Sequence, residues 1–282
     1  MINKQDLLPV VKAALAEDFG DGDHTTLATI PQDATGRARL VAKEAGVIAG
    51  IDVARMVFEE VDPNLHFEAF LADGDRVAPG TEVFEVAGSS GAILSAERLS
   101  LNFLQRMSGI ATATARMVKE VEGTNAVILD TRKTTPNLRL MEKYAVKAGG
   151  GGNHRFGLFD LMMIKDNHID FAGGLRQAVE ACKEYLRKHN KELKIEVEVR
   201  TFEELKEVME TDGVDRVMLD NFSPDDVRSA LKIIAGKFET EASGGITLHT
   251  VRAYAETGVD FISVGALTHH IKSLDLSLKA RK

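Results

Sequence analysis

The sequence predicts an α/β fold: a small α+β region over roughly the first 115 residues, then an incomplete β/α barrel of about six strands. Three observations carry this. From about Asn125 onward, short apolar runs alternate with amphipathic helical stretches, the pattern of parallel strands joined by crossovers. Six such runs occupy only about 145 residues, whereas a complete eightfold barrel takes about 250. The fingerprints GxGxxG and GxxxxGK[ST] are absent, which weakens an open doubly wound sheet but leaves it as an alternative.

The elements follow in order. Leu7, Leu8, Val11, Ala14 and Leu15 recur at helical spacing, with no signal-peptide layout around them. Strand-like pieces come next: "GRARLVAKEAGVIAG", "LHFEAFLADGDRV" and "TEVFEVAGSSGAIL", broken by turn residues such as Asp73-Gly74-Asp75 and Pro79-Gly80. "IDVARMVFEEVD" reads as a helix between them. A long helix over "SAERLSLNFLQRMSGIATATARMVKEVEG" follows, with Ser95 as its expected N-cap. The barrel strands are "AVILD", "LMMIKDN", "IEVEV", "RVMLDN", "FETEASGG" and "FISVGA", with "TFEELKEVMET" and "SPDDVRSALKIIAG" among the helices between them.

Composition narrows the function. Apolar residues make up 44% and charged ones 28%, as in a globular protein, and runs such as "LMMI" are too short for a bilayer. The formal charge of −8 argues against nucleic acid. Cys182 is the single cysteine, expected to be a packing residue; without disulfides or CxxC motifs, a reducing, cytoplasmic setting is the expectation. Charge is uneven, however. Between Thr131 and Lys165 stand Arg132, Lys133, Arg139, Lys143, Lys147, Arg155 and Lys165 against only Glu142 and Asp160. A solvated helix face accounts for Lys143 and Lys147, but not for the cations that abut strands. Those suit a small, multiply charged anion. Four glycines, Gly149–Gly152, adjoin His154 and Arg155 and would let a tight loop bring both onto a ligand.

Strand ends carry the polar groups. Asp130 ends "AVILD", Lys165 ends "LMMIK", Glu196 and Glu198 share a face of "IEVEV", and Asp220 ends "RVMLD". In β/α barrels that end is the catalytic face. Lys165, Glu198 and Asp220 could form a self-compensating ion-pair network or a site for an anion with its metal. Ser243-Gly244-Gly245, before a helix expected near Thr247, and Gly265, before the last helix, read as phosphate cradles, although SGG also makes a plain turn. The acids of "LAEDFGDGDHTT" around His24 match no calcium loop and read as a turn region.

The run "DTRKTTPNLRLMEKYAVKAGGGGNHRFGLFDLMMIKDNH" resembles the quinolinate phosphoribosyltransferase family, as do "SAERLSLNFLQRMSGIATATA", "MLDNF", "EASGGI" and "ISVGALTH". The resemblance implies a sandwich-like N-terminal α+β domain over 1–115, with the tail 270–282 packing on it, and a catalytic incomplete barrel over 116–269. It also implies a homodimer and the joining of quinolinate to phosphoribosyl pyrophosphate with decarboxylation, giving nicotinate mononucleotide on a route to NAD. Matched residue by residue, the quinolinate-binding cations fall on Arg132, His154, Arg155 and Lys165, and Arg98 matches an arginine lent by the other subunit. Lys133 matches a lysine near the phosphoribosyl donor. Glu198 and Asp220 match the carboxylates of the donor and Mg²⁺ region, direct or through water. Ser243, Gly244, Gly245 and Gly265 fall on the loops around the 5-phosphate. The resemblance thus makes Lys133, Lys165, Glu198 and Asp220 the catalytic set. Leu99, Ser100 and His270 depart from the family's usual residues, none of them at a charged site position.

Quinolinate carries adjacent carboxylates, which arginine binds through paired, charge-assisted hydrogen bonds. The rival readings are a sister phosphoribosyltransferase of the molybdenum-transport-associated type with another acceptor, a Schiff-base barrel using Lys165, and a phosphate-binding module without turnover.

Overall fold

A computed structural model describes residues 4–281, which form two compact units. The first takes in the described residues up to Ala115, together with Thr134–Gly150 and the segment from Leu267 onward. Its elements begin with α1 (Lys4–Phe19), α2 (His24–Thr29), β1 (Thr35–Ala42), β2 (Gly46–Val47) and α3 (Ile51–Val61). They continue with β3 (His66–Ala69), β4 (Arg76–Val77), β5 (Glu82–Ser89) and α4 (Ser90–Glu120), whose last turn passes into the second unit.

Alternation along β1 sets the first sheet. Ala38, Leu40 and Ala42 point inward, while Arg39 on the other face pairs with Glu82 at 2.5 Å and Glu85 at 2.6 Å. The core beneath is aromatic: Phe58, Phe67 and Phe84 meet with ring centroids 4.4–6.1 Å apart.

The second unit holds β6 (Val127–Leu129), β7 (Met162–Ile164), α6 (Asp166–Ala172), α7 (Leu175–Lys188), β8 (Ile195–Val199), α8 (Phe202–Met209) and β9 (Arg216–Asp220). It is completed by α9 (Pro224–Ile234), β10 (Glu239–Ser243), α10 (Val251–Ala255) and β11 (Phe261–Ser263). Six parallel strands pair in the order β6-β11-β10-β9-β8-β7. Every crossover from β7 to β11 steps one place in the same direction, which is the winding of a barrel and excludes the doubly wound alternative. These are the six strands expected from sequence. Among the described residues β6 and β7 do not pair, so the barrel is open there.

The segment after β6 contains α5 (Arg139–Ala148), and after Gly265 come α11 (Ala266–His269) and β12 (Leu276–Arg281). The first sheet runs β12-β1-β5-β3, with Leu278 opposite Leu40. Helix α5 joins the first unit instead of the barrel that precedes and follows it in sequence. Glu142, almost fully buried, accepts from Arg106 Nε at 2.9 Å and Nη2 at 2.7 Å, and Tyr144 donates to Asp73 at 2.8 Å. A buried carboxylate must keep its cation, so Arg106 on α4 fixes where α5 lies. Lys143 is buried as well, not on a solvated face as the spacing suggested.

Two further expectations change. Helix α4 starts at Ser90, where Ser89 Oγ accepts from the Ala92 N–H at 3.3 Å. Ser95 is therefore inside the helix, not its N-cap, and donates to Asp23 at 2.9 Å. The other oxygen of Asp23 accepts from the Thr26 N–H at 3.1 Å and caps α2.

Candidate active site

The candidate site is built on one face of the barrel sheet. Strand register places Glu196 and Glu198, Arg216, Met218 and Asp220, Glu239, Glu241 and Ser243, and Phe261 and Ser263 on the same inward side. At the C-terminal ends of these strands lies a cavity of about 450 Å³. Among its lining residues are Arg132, Lys133, His154, Arg155, Lys165, Glu198, Asp220 and Ser243. Eight of the residues picked from sequence thus meet in one place within the second unit. Thr131, Met163, Met218 and Ser263 also line it.

Asp130, fully buried just past β6, organises the loop that carries the cations. It accepts from the His154 N–H at 2.9 Å and from Asn153 Nδ2 at 2.6 Å. Gly150 has φ of +89°, the backbone freedom expected of this run, whereas Gly149 and Gly152 act through close packing. A Cβ on Gly152 would meet Leu129 Cδ2 at 2.8 Å, and the Gly152 N–H donates to Ile128 O at 2.8 Å. A Cβ on Gly149, in the first unit, would strike the Ala111 carbonyl oxygen and come within 2.7 Å of Thr114 Cβ.

Within the cavity, burial pushes the Arg155 guanidinium below its ordinary range, and the neighbouring Arg132 charge pushes the same way. Two cations that repel each other favour an anion between them. Lys165 Nζ forms an ion pair with Glu198. Burial raises the Asp220 carboxyl, and the Glu198 charge raises it further.

Deeper in the barrel is a charged layer that sequence reading only touched at Glu196. Glu196 and Glu241 are fully buried, and His154 Nε2 lies 3.2 Å from one and 3.5 Å from the other. Arg216 lies 3.2 Å from Glu241 and 3.1 Å from Glu239, with its guanidinium 4.0 Å over the Phe261 ring. Burial pushes the Glu196 carboxyl up to about 7. Burial, with the Glu196 charge beside it, does the same to Glu241, also to about 7. The period-two spacing of Glu239 and Glu241 in "FETEAS" was the available signal for this layer.

The remaining expected residues lie as follows. Gly244 and Gly245 have φ of +99° and +60°, and a Cβ on Gly244 would strike Asn221, whereas Gly245 faces open space. The next helix starts at Val251, not near Thr247; in the turn before it the Thr247 N–H donates to Thr250 Oγ1 at 3.0 Å. Gly265 directly precedes α11. Arg98 is exposed on α4 in the first unit, while Leu99 and Ser100 beside it are buried.

Two family profiles match the chain: "Quinolinate phosphoribosyl transferase, N-terminal domain" over residues 23–108 and "Quinolinate phosphoribosyl transferase, C-terminal domain" over 110–279. A chloroplastic nicotinate-nucleotide pyrophosphorylase (carboxylating) of Arabidopsis thaliana is 51% identical over 289 residues, covering 97% of this chain and 82% of that protein. A probable nicotinate-nucleotide pyrophosphorylase (carboxylating) of Bacillus subtilis is 43% identical, covering 98% and 94%. Among solved structures, the nicotinate-nucleotide pyrophosphorylase from Francisella tularensis superposes with a TM-score of 0.93 at 42% identity, covering 100% of this chain and 98% of that one.

Proposed function

The chain belongs to the quinolinate phosphoribosyltransferase family, and we propose that its barrel cavity joins quinolinate to phosphoribosyl pyrophosphate. Nicotinate mononucleotide, pyrophosphate and CO₂ leave, a step of NAD biosynthesis. The observation that carries this is the convergence of Arg132, Lys133, Arg155 and Lys165 with Glu198 and Asp220 in one cavity. Cations alone would suit any anion. Cations beside two carboxylates suit an anionic acceptor meeting a sugar that turns cationic.

In this reading Arg132, Arg155 and Lys165 hold the two acceptor carboxylates by charge-assisted hydrogen bonds, with His154 packed beneath them. The ring nitrogen is thereby aimed at C1 of the sugar. As the C1–oxygen bond to pyrophosphate breaks, its electron pair leaves with pyrophosphate and the sugar becomes oxocarbenium-like. Glu198 or Asp220 stabilises that charge, and Lys133 offsets charge on the leaving group. The ring nitrogen's lone pair then forms the new bond and becomes cationic. The adjacent carboxylate departs as CO₂, its bonding pair stays on the ring carbon beside the cationic nitrogen, and a proton arrives from water or Lys165. Ser243, Gly244, Gly245 and Gly265 cradle the 5-phosphate, with Gly245 open to close approach.

Glu198 and Asp220 also fit Mg²⁺: they are hard oxygen donors, and burial and mutual repulsion raise the Asp220 carboxyl. Held there, directly or through water, the ion would supply further charge compensation to the pyrophosphate.

The proposal includes a homodimer in which a second copy supplies Arg98. Its support is Arg98's exposure and the exposed apolar residues that flank the site cations in sequence: Leu158 at 73%, Phe159 at 70% and Phe171 at 91%. A cytoplasmic setting rests on the single, unpaired Cys182. No helix of the described residues is long and apolar enough to cross a membrane.

An acceptor assay tests the reading. Purified protein with phosphoribosyl pyrophosphate and Mg²⁺ is expected to release pyrophosphate and CO₂ in equal amounts with quinolinate, and neither with nicotinate. Turnover with nicotinate but not quinolinate would favour a sister enzyme.

A further inference from the structure

His154 is held on both sides of its ring. Its Nδ1 accepts from the Arg155 main-chain N–H at 2.6 Å, so that nitrogen presents a lone pair. The ring proton therefore belongs on Nε2. That nitrogen lies among the buried carboxylates, 3.2 Å from Glu196 Oε2 and 3.5 Å from Glu241 Oε2, close enough for charge attraction although neither contact has hydrogen-bond geometry. The opposite tautomer would set a donor against a donor at Nδ1, and its Nε2 lone pair would need a proton on Glu196 or Glu241 to meet it. Glu196 and Glu241 are fully buried, so a mismatch on their side of the ring is costly.

We propose that Glu241, acting with Glu196, is a positioning residue for acceptor binding: it fixes His154 as the Nε2–H tautomer, whose Nδ1 then pins the main chain of Arg155. Glu241 is itself held in place, because Arg216 lies 3.2 Å from it and stacks on Phe261. On the other side, Asp130 grips the His154 N–H. A chain of contacts thus runs from the barrel interior to Arg155 at the mouth. His154 differs in this from Arg132, Arg155 and Lys165: it is a neutral ring committed to the protein, not a fourth cation offered to the ligand. The three ligand-type atoms of His154, Glu196 and Glu241 lie within 4.8 Å of one another, a spacing that also suits a metal. Against a metal, Glu241 Oε2 already faces the Arg216 guanidinium, whose charge would repel a dication.

The test has two arms. Nitrogen-15 spectra of the uniformly labelled full-length protein, with the His154 signals identified by their loss in His154→Gln, are expected to show protonated Nε2 and unprotonated Nδ1. A proton on Nδ1, or on both nitrogens, would overturn the proposal. So would stoichiometric Zn²⁺ binding by the wild type that Glu241→Leu abolishes. This arm needs no substrate, and its spectra need no variant at Glu241; the Zn²⁺ comparison uses Glu241→Leu protein shown to be folded.

The kinetic arm rests on the proposed reaction. Glu241→Leu is expected to mix the His154 tautomers and raise the quinolinate KM about tenfold, while the phosphoribosyl pyrophosphate KM stays within about twofold. Glu241→Gln, which keeps a carbonyl oxygen facing Nε2–H, is expected to recover most of both. An unchanged His154 spectrum in a folded Glu241→Leu protein, or an equal rise in both KM values, would overturn the proposal. An Nε2–H ring in a protein that does not turn over quinolinate would uphold the ring assignment and count against the reaction.

Discussion

Replacing Arg155 with alanine is expected to weaken quinolinate specifically. The side chain has little structural work to lose: its one side-chain bond among those resolved is a 3.3 Å contact from Nη1 to the Leu161 carbonyl. Burial and the nearby Arg132 already disfavour its charge in the absence of ligand. Binding a dianion reverses that, because the acceptor's charge offsets two guanidinium groups at once. A hydrogen bond to a charged partner contributes about 1.5–3 kcal/mol, which predicts a roughly 10- to 150-fold fall in kcat/KM for quinolinate. The lower end applies if Arg132 swings toward the vacated position, and the upper end if it cannot. Arg155→Lys keeps the charge but not the planar fork and should fall between. Initial rates of CO₂ release at saturating phosphoribosyl pyrophosphate give the number. Thermal unfolding, expected to change by less than about 0.5 kcal/mol, shows that the fold is intact. Values of kcat/KM within about threefold of wild type for both Arg155→Ala and Arg132→Ala would refute the reasoning.

Three further outcomes follow from the same structure. Arg98→Ala and Lys165→Ala should each be inactive alone yet regain activity when refolded together, since one site of a mixed dimer keeps both residues; inactive mixed dimers would sink the shared site. Gly149→Ala should destabilise the protein by about 1–3 kcal/mol, as its new methyl group meets the Ala111 carbonyl, and a urea midpoint equal to wild type would contradict the packing. Glu241 has a folded-state carboxyl raised from 4.5 to about 7, so the folded protein binds its proton more tightly. Its contribution is full below about pH 4.5 and is lost as pH rises through about 7, a change of at most about 3 kcal/mol. Glu241→Gln should therefore flatten the decline of unfolding free energy between pH 5 and pH 8, and parallel curves for the two proteins would contradict it.

Much of the barrel was legible because its signals are local. Short apolar strands end in polar residues, and Lys165, Glu198 and Asp220 each sit where a strand opens into the cavity. What was hidden depends on partners distant in sequence. Helix α5 looks like part of the barrel until Arg106, 36 residues before Glu142, claims it. Ser95 has the chemistry of a cap, but Ser89 lies where the helix turns out of β5, and Ser95 finds Asp23 instead. The four glycines suggested a tight loop, and Gly150 does take a positive φ; Gly149 and Gly152 are needed because other parts of the protein leave no room for a side chain. The layer of Glu196, Arg216 and Glu241 was hardest to foresee, since buried charge is expected only where its partners are known.

The central claim is that the cations of one barrel mouth receive a dicarboxylate ring. A crystal structure of the protein soaked with quinolinate tests it most directly. The account predicts the two carboxylates bonded to Arg132 and Arg155, with the ring nitrogen facing Glu198 and Asp220. Quinolinate bound elsewhere, with Arg132 and Arg155 untouched, would contradict it.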